Sequence, residues 1–168
     1  MPLRIPLTVC LAALAALGAS AAPARAKAKK NLWSTINICD SEKHPDDVGI
    51  GARMPGDSSD RKMYMRFYVQ FREDKTWKYV GSSATSPWIA AGSARYTWAE
   101  RGYTFSFDPP GAGTTFAMRG LVKFEWRNRK TKEVERHTHV TTTSGHTTKD
   151  ADPKGYSAAR CTLAGPPA

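Results

Sequence analysis

The chain is poor in cysteine and acid. It has only three cysteines, and 15 Asp and Glu stand against 25 Lys and Arg. It has no G-x-S-x-G, since Thr143-Ser144-Gly145-His146 lacks the first glycine at the required offset. H-E-x-x-H is absent, and no carboxylate pair stands out: Asp46-Asp47 and Glu73-Asp74 sit in turn-like sequence. These absences argue against a serine hydrolase, a zinc protease of the helical type and a two-carboxylate glycosidase. Gly111-Ala112-Gly113 follows two prolines and opens no helix, so it does not make a phosphate cradle. Asp150-Ala151-Asp152 offers two acids, too few for a calcium loop. No catalytic residue and no cofactor are expected.

Long apolar runs are also missing, with one exception at the N-terminus. Met1 to Arg4 carries a positive charge, Leu7 to Leu17 is uncharged and apolar, and Ala24-Arg25-Ala26 has the small-x-small form of a cleavage site. This order predicts a secretory signal peptide over 1–26. A membrane span needs roughly 20 apolar residues, and this run breaks at Gly18, Ser20 and Pro23. No membrane span is expected. Cleavage after Ala26 leaves 142 residues with 23 Lys and Arg against 15 Asp and Glu, a formal net charge of +8. That length suits one domain. Residues 27–31 form a basic tail predicted to be disordered, 32–164 a single domain, and 165–168 a C-terminal tail.

Cys10 leaves with the signal, so Cys39 and Cys161 remain. Export places them in oxidising surroundings, and one pair has one intramolecular connectivity. A disulfide is expected. In the chain-entropy model a loop this long is worth about 4–5 kcal/mol.

From Leu32 onward the hydrophobic pattern has period two. Lys62 to Arg72 is the strongest case: Met63, Met65, Phe67, Val69 and Phe71 share one face, with Tyr64, Arg66 and Tyr68 on the other. Strict alternation is the signature of a half-buried strand. Leu32 to Ile38, Ile50 to Met54, Thr76 to Val80, Tyr103 to Phe107, Phe116 to Trp126, Glu133 to Thr142 and Ser157 to Leu163 read the same way. Trp88-Ile89 and Ala94 to Trp98 are weaker candidates. Asp40 to Asp47 and Ser144 to Gly155 read as polar loops, and Asn128 to Lys132 as a hairpin turn. The expected fold is all-β, an antiparallel immunoglobulin-like β-sandwich of seven to nine short strands, with a flattened barrel as the alternative. For the last hairpin a register with Arg127 opposite Glu133, Glu125 opposite Glu135 and Lys123 opposite His137 is predicted, with Trp126 beside Val134. It sets two glutamates against each other, an unfavourable pair.

Three groups carry functional expectations. His137 and His139 project to one side of a strand, and His146 follows in a loop; together they suggest a metal site, or a small metal-dependent enzyme. Trp77, Tyr79, Trp88 and Trp98 suggest an aromatic platform for sugar rings, with Tyr64 and Tyr68 on a polar face beside Arg66 and Arg72. Arg127, Arg129, Lys130 and Lys132 form a basic patch suited to an anionic cell-wall polymer, an acidic glycan or lipid headgroups. Another extracellular protein is a further candidate partner, while export argues against nucleic acid. The leading expectation is a secreted, non-enzymatic β-sandwich that contacts the cell envelope or extracellular anionic polymers. A metal-binding protein and a glycan-binding module are the alternatives.

The segments LWSTINICD (32–40), IGARMPG (50–56), MYMRFYVQF (63–71), FAMRGLVKFEWR (116–127) and DPKGYSAARCTL (152–163) resemble a group of uncharacterised secreted actinobacterial proteins. That group is similar in outline to immunoglobulin-like and fibronectin-like sandwiches. The resemblance implies location and fold and carries no catalytic residues.

Overall fold

Alternating side chains build two of the three longest strands. In β3 (Lys62–Glu73), Met63, Met65, Phe67 and Val69 are buried while Tyr64, Arg66 and Tyr68 between them are partly exposed. In β7 (Thr115–Arg127), Met118, Val122, Phe124 and Trp126 are buried in the same rhythm. The two strands pair antiparallel, with Met65 opposite Phe124 and Phe67 opposite Val122. One face of the pair becomes core because successive strand side chains point to opposite sides.

A computed structural model describes residues 31–168. The expected signal peptide (1–26) and residues 27–30 of the expected basic tail lie outside the described residues. Around β3 and β7 a six-stranded sheet assembles. β4 (Thr76–Tyr79) and β5 (Ile89–Ser93) both pair with β3, at opposite ends of it. β8 (Val134–Thr141) and β9 (Cys161–Ala164) both pair with β7. A second sheet has the order β1 (Trp33–Ser41), β2 (His44–Pro55), β6 (Trp98–Ser106). Every pairing between named strands is antiparallel. The described residues therefore form an all-β antiparallel sandwich of nine strands, curled into a half-barrel. Among the described residues no helix is long and apolar enough to cross a membrane.

The core lies between the sheets. Ile36, Val48, Ile50 and Met54 from one sheet meet Met63, Met65, Phe67, Phe124 and Trp126 from the other. Trp126 is fully buried, and its indole Nε1 donates to the Pro55 carbonyl at 3.1 Å. Gly120 marks a close approach between the sheets. A Cβ there would stand 2.8 Å from Ile50 Cδ1 and 2.7 Å from Thr142 Cγ2. Cys39 in β1 is bonded to Cys161 in β9, so the expected disulfide joins one sheet to the other across a sequence separation of 122.

β1 is buried on both faces from Trp33 to Ile38. The segment after β8 covers it. Thr143 N donates to the Ser34 carbonyl at 2.8 Å, Asp152 N to the Asn37 carbonyl at 2.9 Å, and Ile36 exchanges two backbone bonds with Ala158. Asn37 Nδ2 donates to Thr148 Oγ1 at 2.9 Å. Ser144 to Gly155, expected as a plain polar loop, is thus the lid of the β1 edge.

Three further expectations change. Asp40 to Asp47 is mostly strand, with only Glu42 and Lys43 turning between β1 and β2. Asp40 and Asp46 accept positive φ, and the Asp40 carboxylate takes the Asp46 N–H at 3.0 Å, which lets a polar sequence make a tight corner. Ala94 to Thr97 is a turn rather than the start of a strand, because the Ala94 carbonyl takes Asp57 N and Ser58 N, both at 2.9 Å. Finally, β8 is shifted by two residues from the predicted register: Lys123 faces His139, Glu125 faces His137 and Trp126 faces Arg136. An irregularity beside Arg127 takes up the shift. It separates Glu135 from Glu125, and Glu135 instead binds Asn128 Nδ2 at 2.8 Å and Arg61 at 3.3 Å.

Candidate functional site

The outer face of the six-stranded sheet is an interleaved array of rings and cations. Cross-strand pairing lays it out. Tyr64 is opposite Glu125, Arg66 opposite Lys123, Tyr68 opposite Leu121, and Gln70 opposite both Arg119 and Tyr79. Trp77 sits opposite Arg72 at the far edge. On β3 and β7 these positions alternate with the buried core residues, so the alternation that makes the core also lines up this surface.

The rings and cations touch. Arg127 lies 4.3 Å from the Tyr64 ring centre and 4.9 Å from that of Trp88. Lys123 lies 5.1 Å and Arg66 5.6 Å from Tyr68. Tyr68 meets Tyr79 edge-on at 5.6 Å. Arg119 and Arg160 share one indole, at 4.4 and 5.5 Å from Trp77. Cation–π contacts are worth about 0.5–1 kcal/mol each at exposed sites, and they hold flexible arginines in fixed places.

Negative charge is scarce here. Glu125 is, among the described residues, the only carboxylate ion-paired to a cation of this array, binding Arg127 at 2.6 and 2.7 Å. Among the described residues Arg66, Arg119, Lys123 and Arg160 have no carboxylate partner within ion-pair distance. Arg66 instead donates to the Ser86 carbonyl at 2.9 Å, and Arg119 to Gln70 Oε1 at 2.9 Å. Arg66 and Lys123 stand directly opposite each other, an arrangement that costs stability in a sheet. Burial, and next the like charge of Arg160, hold the Arg119 guanidinium below its ordinary range, while Tyr79 opposes the shift. A groove of about 580 Å³ runs along this face, lined by Tyr79, Leu121, Lys123, Glu125, His137 and His139 among others.

The expected site residues divide. Trp77, Tyr79 and Trp88 do share this face, joined by Tyr64 and Tyr68. Trp98 does not. It stands on β6 in the other sheet, with the Arg53 guanidinium 4.0 Å from its ring centre. Of the basic patch, Arg127 belongs to the array, whereas Arg129, Lys130 and Lys132 lie in the β7–β8 turn. Asn128 Oδ1 shapes that turn by accepting Lys130 N and Thr131 N at 2.8 and 3.1 Å.

The three histidines are not brought together. His137 and His139 are exposed on β8, but His146 stacks on Trp33 of the other sheet, centroids 4.6 Å apart and planes within 3°. Burial first, and the charge of Arg53 second, lower the His146 pKa below its ordinary value. Among the described residues no group of three or more His, Cys, Asp or Glu side chains is placed to hold a metal ion. The flat, buried indole of Trp33 captures the imidazole that sequence proximity assigned to the metal site.

Arg119, Lys123 and Arg160 were not singled out from the sequence. Arg119 and Lys123 carried a signal, because they occupy the off-phase positions of the Phe116 to Trp126 run. Arg160 carried none, since its place depends on β9 docking beside β7. Compared with known proteins, the chain matches no protein-family model and no curated protein.

Proposed function

We propose that this protein is an exported binding module that takes an anionic glycan across the outer face of its six-stranded sheet, acting by binding rather than by turnover. One observation carries the reading: Arg66, Arg119, Lys123, Arg127 and Arg160 interleave with Tyr64, Tyr68, Trp77, Tyr79 and Trp88 around a single carboxylate. Aromatic rings offer flat apolar faces to sugar rings. Guanidinium groups match carboxylate or phosphate in bidentate geometry. The opposed Arg66–Lys123 pair and the Arg119–Arg160 pair repel electrostatically in the free protein, and anionic groups bound beside each pair would relieve that repulsion. Export rests on the N-terminal signal pattern and agrees with the Cys39–Cys161 disulfide.

Alginate, a uronate polymer, tests the reading by isothermal titration. Binding is expected to weaken about tenfold as salt rises from about 50 to about 500 mM, because screening shortens the reach of the charges. Arg119→Gln with Arg160→Gln is expected to lower affinity by about tenfold or more, equivalent to ~1.4 kcal/mol. Alginate binding that ignored both salt and the double substitution would overturn the assignment, as would no binding at low salt.

A further inference from the structure

A second recess opens on the three-stranded sheet, and its chemistry differs. It is a groove of about 590 Å³ beside β2 and β6, lined by Gly51, Tyr96, Trp98, Gly102, Thr148 and Asp150 among others. That volume falls within the roughly 300–1,000 Å³ of small-molecule clefts.

The floor is a pair of glycines directly opposite each other, Gly51 and Gly102. Gly51 has a packing reason, since a Cβ there would stand 2.4 Å from Thr148 Cγ2. Gly102 has none. Its φ is not in the left-handed region, and an added Cβ would meet nothing closer than the Ile50 carbonyl oxygen at 3.4 Å. A glycine inside a strand weakens it and is typical of a place where a ligand or another backbone comes close. Among the described residues only the Ile50 carbonyl oxygen and Gly51 Cα lie within 4 Å of such a Cβ, so the bare backbone at Gly102 leaves room for a ligand to approach.

The walls are aromatic and accessible. Tyr96 is 71% and Trp98 42% exposed, against near-complete burial of the core aromatics. The Trp98 indole is nonetheless backed. Arg53 lies 4.0 Å from its ring centre, is pinned by Glu100 at 2.5 and 2.7 Å, and lies 5.2 Å from the Trp33 ring on which His146 stacks. This pile of planar groups holds the indole ready before any ligand arrives, which lowers the ordering cost of binding.

Charge selects the ligand class. Glu100 is paired with Arg53, and Asp150 stands with Arg101 and Lys149 around the groove, so its positive excess is one charge, well below that of the other face. Hydrogen-bonding groups remain: Thr148 Oγ1 already accepts from Asn37 Nδ2, so its proton is free to donate to a ligand oxygen. We infer that this groove binds an uncharged saccharide, stacked on Trp98 and Tyr96 over the Gly51–Gly102 floor. The site is independent of the anionic-glycan reading.

The test is a titration of the full mature protein with cellohexaose, chitohexaose and maltohexaose, followed by the indole N–H resonances in a ¹⁵N-correlated NMR spectrum. Trp98→Phe assigns the Trp98 signal. At least one hexaose is expected to shift that signal saturably. Gly102→Val fills the floor with a residue that favours strands, so it keeps the fold, and it is expected to weaken hexaose binding by about tenfold or more. Gly102→Ser is expected to weaken it less. Arg119→Gln with Arg160→Gln is expected to leave hexaose binding unchanged. Three hexaoses that fail to move the Trp98 signal at about 10 mM would overturn the inference. So would a folded Gly102→Val variant that binds as the wild type does. Loss of alginate binding in Gly102→Val would overturn it as well, by merging the two sites into one.

Discussion

The two outer faces of this sandwich share a core and have opposite characters. On the outer face of the six-stranded sheet, five cations stand among five rings, and among the described residues Glu125 is the only acid ion-paired to any of them. On the three-stranded sheet, Arg53 is paired with Glu100, and β1 is roofed by the segment from Thr142 to Ala158. Inward positions are constrained by packing density, but outward positions are constrained only by solubility and function. An outward face that keeps like charges opposite each other gives up stability, and such concessions mark binding surfaces.

The largest expected effect breaks the link between the faces. Cys39→Ser with Cys161→Ser removes the only disulfide among the described residues and is expected to lower unfolding stability by about 4–5 kcal/mol, read from urea midpoints. A loss below about 1 kcal/mol would mean that the Thr142–Ala158 roof already restrains the unfolded chain or holds β1 by itself. Next comes the contact between sheets at Gly120. Gly120→Val drives methyl groups against Ile50 and Thr142, and overpacking of this kind costs about 1–3 kcal/mol. It is expected to destabilise the fold, measured in the same urea series, without altering either outer face's charge.

The cationic face is expected to respond differently. Lys123→Gln removes both the repulsion with Arg66 and the cation–π contact with Tyr68, opposing effects of similar size, and is expected to change stability by less than about 1 kcal/mol while weakening alginate binding. A variant that lost both stability and binding would show that Lys123 is structural. The smallest effect belongs to the other face. His146 has a folded pKa below its unfolded value, so the unfolded state binds the proton more readily. Its contribution is present above about pH 6.5, the ordinary histidine value, and is lost as pH falls through the lower folded value. Thermal midpoints are expected to drop between about pH 7 and pH 5, and His146→Phe, which keeps a ring on Trp33, is expected to flatten that slope.

Part of this molecule was open to sequence reading because a strand's alternation is local. Met63 to Phe71 and Phe116 to Trp126 announced both their strands and their outward residues, and the cysteine count announced the disulfide. The β7–β8 register was not open in the same way. A slip of one residue exposes a hydrophobic face, but a slip of two keeps every side chain on its own side, so hydrophobicity cannot choose between Glu125 opposite Glu135 and Glu125 opposite His137. Electrostatics favours the second, which is the register observed. Trp98 and His146 misled for a related reason. Their residue types suited a ring platform and a metal site, but their sheet membership was unknown.

By itself, then, the order of residues determined that the chain forms strands, which side chains turn inward and that sulfur ties its ends together. The tertiary structure alone decided that Trp77 and Trp88 share a face with Arg119 and Arg160, that Trp98 backs a separate groove, and that His146 rests on an indole. The physical reason is range. Facing in or out has a period of two residues along one strand, whereas neighbours across a sheet are set by pairings between segments far apart in the chain, which no local pattern encodes.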